Sequence, residues 1–228
     1  MMVVSPHMDD AVFACGEALS HHPGAQVITI FAAAPERDWP LTAWDHDCGF
    51  TSGHEAIAQR RDEDQGALAQ LGSHARWLEF RDRQYVRGPD DQDVQGLPRA
   101  IGALVQADAP HQVLLPLGLF HSDHVLASDA VLAVAQRFPD IRWIAYEDAL
   151  YRRLPGLVQR RLHRIQTQGW DATPVELPGG RLERKRTAVA CYTSQLRGLA
   201  TAHRLGHADA LARERYWALT RRTGGGAI

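Results

Sequence analysis

Met2-Val3-Val4-Ser5 runs into Pro6-His7-Met8-Asp9-Asp10, and Ala11 to Leu19 follows without a break. This reads as a short apolar strand, a polar turn and a helix. Outward from it the same alternation repeats. Gln26 to Phe31 is a second strand, apolar almost throughout, as expected for a strand buried on both faces. Glu55 to Leu71 is a helix closed by Gly72, with Ile57, Leu68 and Leu71 at helical spacing. Arg76 to Phe80, Gln112 to Pro116 and Ile141 to Tyr146 supply three more strands, with helices over Leu97 to Ala107 and Val125 to Phe138. Strands alternating with helices imply an α/β fold, a Rossmann-like three-layer αβα sandwich with a mainly parallel sheet. Residues 33–52, with Trp39, Trp44 and two prolines, read as a long loop. Beyond Asp148 the pattern weakens: residues 151–180 predict a helix and a short strand, and Arg181 to Ala200 and Ala208 to Thr220 predict helices. With no repeat or linker, residues 1–222 are expected to form one domain and 223–228 a disordered tail.

The 228 residues carry a net charge of -2, with 45% hydrophobic and 23% charged residues, ordinary for a folded soluble protein. Near-neutral charge argues against a nucleic-acid partner, which would need a basic surface. No apolar run reaches the ~18 residues of a membrane span, and the start lacks the basic n-region of a signal peptide. Cys15, Cys48 and Cys191 are scattered and form no CxxC pair, which disfavours a disulfide scaffold or a cysteine zinc site. Cys15 and Cys191 are expected in the core, and the thiols fit a reducing cytoplasm. Histidine, at 12, is the unusual count.

Two clusters of histidine and aspartate follow strands. His7, Asp9 and Asp10 lie just after the first strand, and His121, Asp123 and His124 just after the fourth. In open α/β sheets, ligands bind at the carboxyl ends of strands. One aspartate of the first pair could simply cap the following helix. Two adjacent carboxylates, however, repel each other unless a cation is present. Two histidines and a carboxylate are a common catalytic zinc set, so His7, Asp10 and His124 are the expected ligands. Asp9 and His121 remain as an acid/base pair flanking a water. Asp123 would orient a ring nitrogen of His121 or His124. The competing reading leaves His121 and His124 as loop histidines and Asp123 as a cap.

Ser5-Pro6-His7-Met8-Asp9-Asp10 through Gly16, and His121-Ser122-Asp123-His124 through Ala130, resemble the two signatures of the PIG-L/LmbE-like metal-dependent N-deacetylases. Arg60, Glu63, Ala67, Leu71 and Gly72 look like a helix motif of that family, and Lys185, Ala188, Tyr192, Ser194 and Gln195 like a late one. The resemblance implies removal of an N-acetyl group from an N-acetylglucosamine-type sugar or glycoconjugate, releasing acetate and a free amine. It implies Zn²⁺, with Fe²⁺ or another divalent ion as the alternative, held by His7, Asp10 and His124. Asp9 would be the general base and His121 would stabilise the oxyanion and protonate the amine. Arg60 and Asp82 resemble positions that contact the sugar or support its pocket. Lys185, the sole lysine, reads otherwise as a helix-surface residue. A tyrosine that some members place before the second motif is replaced by Leu119 and Phe120, with Tyr85 as one candidate donor instead.

Trp39, Trp44 and Tyr85 could stack on a sugar, whereas Trp77 is expected in the core. A phosphoesterase would want two metals and more cationic clamps, and no G-x-G-x-x-G follows the first strand as a dinucleotide fold requires. The alternatives left are another single-metal amidohydrolase or a non-catalytic metal- or sugar-binding homologue. A homo-oligomer is compatible with all of them.

Overall fold

The computed structural model describes residues 1–88, 91 and 94–222; the expected disordered tail lies outside them. In chain order the elements are β1 (Met2–Ser5), α1 (Asp10–His21), β2 (Gln26–Thr29), α2 (Ala43–Cys48), α3 (Gly53–Leu71), β3 (His74–Trp77), α4 (Leu97–Asp108), β4 (Gln112–Pro116), α5 (Ser122–Ala135), β5 (Arg142–Tyr146), α6 (Leu157–Thr167), β6 (Trp170–Val175), α7 (Leu182–Ala190), α8 (Thr193–Leu199) and β7 (Tyr216–Arg221). They build one seven-stranded sheet in the order β3-β2-β1-β4-β5-β7-β6. The first five strands pair in parallel, and β7 is antiparallel to both β5 and β6. No helix among the described residues is long and apolar enough to cross a membrane.

Side-chain alternation explains the three layers. Val4, Ile28, Val113, Leu115 and Trp143 pack with apolar residues of α4, α5 and α6. Val3, Val27, Leu114 and Ile144, one step out of phase, pack with α1, α3 and α7. β1, β2, β4 and β5 are thus buried on both faces, which is why they read as continuous apolar runs rather than alternating ones.

Three expectations about secondary structure are corrected. The loop of residues 33–52 contains helix α2, started by Thr42, whose hydroxyl accepts the Asp45 N–H. The helix expected over Arg181 to Ala200 is two helices. Glu63 of α3 accepts from the Ser194 N–H and from the hydroxyls of Thr193 and Ser194, which starts α8 afresh. The helix expected over Ala208 to Thr220 is a 3₁₀ turn at Ala208–Leu211 followed by β7. Ala208, Ala210, Leu211 and Ala212 favour helix locally, but pairing with two neighbouring strands decides the segment. Cys15 is buried as expected, whereas Cys191 is only half-buried.

Lys185 is not on the surface. Its side chain is fully buried and its Nζ donates to Glu214 at 2.7 Å. Glu214 also accepts the N–H groups of Glu17 and Ala18 and the Tyr216 hydroxyl. Gly16 makes room for the lysine: a Cβ there would stand 2.7 Å from Lys185 Cγ.

Asp64, beside Glu63 on α3, accepts from Trp77 Nε1 at 2.7 Å and from the Tyr192 hydroxyl at 2.8 Å. Burial outweighs both donors and pushes its pKa up to about 7. Unfolded, the same carboxyl titrates near ~4. The fold therefore holds this proton more tightly, and the resulting stability is complete below pH ~4 and is lost as pH rises through about 7. Asp64→Asn should flatten the decline in Tm between about pH 5 and pH 8. Parallel melts of wild type and variant across that range test it, and identical slopes would remove Asp64 as the cause.

Candidate metal and catalytic site

The strand order reverses direction between β1 and β4, since the chain proceeds from β1 outward to β3 and then crosses back. A crevice at the carboxyl ends of these two strands is the binding position such sheets provide. Both His/Asp clusters open into it. Ser5 Oγ, not an aspartate, accepts the Ala11 N–H. Asp9 stands at the N-cap position of α1 with no side-chain capping bond. The capping alternative therefore fails for Asp9.

Asp10 Oδ2 accepts the His7 backbone N–H at 2.9 Å and lies 3.2 Å from both His7 Nδ1 and His124 Nε2. Ligand atoms of His7, Asp10 and His124 fall within 4.8 Å of one another. A second trio, His7, His121 and Asp123, meets the same limit and shares His7. Burial opposes charge on both His7 and His124, but the surrounding carboxylates outweigh it. Asp82, Asp10 and Asp123 push His7 well upward, and Asp10 with Asp148 lifts His124 to about 9. Asp10 moves the other way: the two histidines overcome its burial and hold it well below the usual carboxylate range. Asp9 is pushed up to about 7, first by burial and then by the charge of Asp10. Two imidazoles and a carboxylate, converging amid excess negative charge, suit a divalent cation, which would take the place of the imidazole protons.

The outer supports differ from expectation. His124 is oriented by Asp148, not Asp123: its Nδ1 is 2.6 Å from Asp148 Oδ1. Asp148 Oδ2 accepts the N–H groups of Gly118 and Leu119 at 2.9 and 3.1 Å. Gly118 has φ +88, and a Cβ there would press on Ser128 and the His124 carbonyl, so glycine is required for that turn. Asp123 instead reaches His7, with Oδ2 at 3.2 Å from Nε2 and 3.9 Å from His121 Nδ1. It also accepts the Arg83 N–H. Sequence reading missed Asp148, although its place just after β5 put it on the same sheet edge.

His121 caps α5 through Nδ1, which accepts the Asp123 N–H at 3.3 Å. That bond leaves the proton of a neutral ring on Nε2. Burial, together with His7, keeps the ring's pKa below the ordinary histidine value.

Asp82 supports the site: its Oδ2 lies 3.8 Å from His7 Nε2, and both oxygens accept from Gln84. Arg60 does not reach out as a substrate contact. It is 4% exposed, and its Nη2 donates to Asp45 at 2.7 Å. The Tyr85 hydroxyl donates to the other oxygen of Asp45, so Tyr85 is already engaged. Trp77 is anchored on Asp64, while Trp39 donates to the Gln84 carbonyl.

The family model for PIG-L, described as GlcNAc-PI de-N-acetylase, matches residues 2–135, a span holding both clusters. The chain belongs to the PIG-L family. Among solved structures this PIG-L chain is similar to a zinc-inhibited form of teicoplanin deacetylase, with TM-score 0.80 and 22% identity over 98% of this chain and 99% of that one. It is also similar to the deacetylase of the A40926 pseudoaglycone, an antimicrobial reagent, with TM-score 0.75 and 25% identity over 98% of both chains. A 4-carboxy-2-hydroxymuconate hydratase from Pseudomonas putida KT2440 shares the fold at TM-score 0.56 and 15% identity, over 100% of this chain and 98% of that one. The architecture therefore carries more than one reaction, and the chemistry must be argued from the site. No curated protein matches the sequence.

Proposed function

We propose that the chain is a metal-dependent N-deacetylase that removes the acetyl group from an N-acetylated sugar or glycoconjugate, with residues 1–222 acting as one unit. The observation that carries this is the meeting of His7, Asp10 and His124 in the β1/β4 crevice, with Asp9 left uncapped beside them. The family and the two deacetylase neighbours support the reaction class.

His7, Asp10 and His124 would hold the cation. When bound, such an ion acidifies a water and polarises a carbonyl. Asp9 takes the proton from the attacking water at its carboxylate. His121, with its proton on Nε2, donates a hydrogen bond to the carbonyl oxygen as negative charge develops there. Asp9 then passes the proton it took from the water to the departing amine, which leaves the neutral His121 ring as a hydrogen-bond donor throughout. Asp148 fixes the His124 ring, and Asp123 with Asp82 fixes His7, so neither ring must be ordered during the reaction.

Elemental analysis of wild type beside His124→Ala is the first test, paired with acetate release from N-acetylglucosamine glycosides. About one divalent ion per chain, lost in the variant, is expected. Asp148→Asn should weaken metal affinity by about 10–100-fold without removing a ligand. One equivalent of Zn²⁺ or Fe²⁺ should be supplied rather than an excess, because one neighbour is described in a zinc-inhibited form. A protein that binds no metal after reconstitution would refute the reading.

A further inference from the structure

Two backbone segments at the site are strained in the same way. The His121 N–H bonds the Leu119 carbonyl, making a γ-turn centred on Phe120 at φ 60. The Tyr151 N–H bonds the Ala149 carbonyl, making a γ-turn centred on Leu150 at φ 70 and ψ -51. A γ-turn at positive φ is the rare, costly form, and glycine occupies neither centre. Both turns are tied down: Asp148 holds Gly118 and Leu119, while Asp209 accepts from the Leu150 N–H and Arg152 Nε. The outcome is an aromatic pair. Phe120 stacks on Tyr151 with ring centres 5.3 Å apart, and Tyr151 meets the His124 ring edge-on at 5.2 Å. Phe120 nevertheless remains 66% exposed, so the strain does not serve burial.

We propose that Phe120 and Tyr151 form a platform for an apolar aglycone, aryl or alkyl, attached to the sugar whose acyl group is removed. The proposal rests on the deacetylase reading for its sugar. The platform begins at His124 and runs outward to solvent, so it suits a part of the substrate lying beyond the reacting amide. Its outer ring carries no polar atom and offers sugar hydroxyls nothing, whereas an apolar group gains a stacking face. Phe120 would be a specificity-determining residue.

The test is calorimetric binding of two amine products to the metal-loaded protein: phenyl 2-amino-2-deoxy-β-glucoside and free glucosamine. Wild type should bind the phenyl glycoside about tenfold more tightly. In Phe120→Gly the ratio should fall to near one. Glycine accepts the positive φ at no steric cost, so Tm should hold within about 2 °C or rise. Tyr151→Phe keeps the ring and should keep the ratio. A wild-type ratio near one, a ratio unaltered in Phe120→Gly, or a Tm drop beyond about 5 °C in that variant would each overturn the platform. If the ratio behaves as expected but the N-acetylated phenyl glycoside releases no acetate, the platform stands and the deacetylase reading falls. If neither amine binds, both fall.

Discussion

Asp9→Asn is expected to slow acetate release by about 10²–10⁴-fold while the bound metal stays in place. Three features lead there. Asp9 belongs to neither set of converging ligand atoms, so its loss should not empty the site. It makes no capping bond, so its loss should not unravel α1. Burial and the charge of Asp10 raise its proton affinity, the property a base needs to take a proton from water near neutrality. Asparagine preserves the volume and removes the basicity. The check is kcat for acetate release alongside elemental analysis of the same preparation. Metal loss equal to that of His124→Ala would make Asp9 a ligand and overturn the assignment.

The second large effect is structural and lies away from the crevice. Lys185→Met leaves Glu214 buried and without its cation, a change that costs about 3–5 kcal/mol. Glu214 keeps three other donors, the N–H groups of Glu17 and Ala18 and the Tyr216 hydroxyl, so the lower end of that range is expected. For a chain of this size the loss corresponds to a Tm drop on the order of 10 °C. Removing both charges, in Lys185→Met with Glu214→Gln, should recover part of it, because no unpaired charge then remains. Denaturant titration of the two single variants and the double variant closes the cycle. A single-variant cost below about 1 kcal/mol would show that the pair is dispensable.

Much of the molecule is legible in the order of residues because it is local. The apolar runs of β1, β2, β4 and β5 and the Gly72 cap of α3 are each set by a few neighbouring residues. The two site clusters are local as well, each packed into four residues after a strand. What joins distant segments is much less visible. Asp148 stands 24 residues beyond the histidine it orients, and no spacing rule links them. Asp45 engages Arg60 and Tyr85 at once, and only the folded chain brings the three together. β7 carries a period-two signal, with Tyr216 on one face and Trp217 and Leu219 on the other, but the alanine-rich stretch before it favours helix. The family motifs beyond the crevice acquire their meaning only as pairs: Gly16 with Lys185, Glu63 with Ser194, and Asp64 with Tyr192.

The insertion of β7 between β5 and β6 bears on how the protein is made. During synthesis β5 and β6 leave the ribosome well before the strand that must lie between them. Until residue 221 is available, one edge of β5 and one edge of β6 lack their partner, and edges of that kind recruit other chains. Lys185 likewise waits for Glu214, which lies two residues before the start of β7. A nascent chain stopped before Tyr216 would retain both His/Asp clusters yet lack the strand that joins β5 to β6. Such truncated products should be found among aggregates or bound to chaperones rather than as active enzyme.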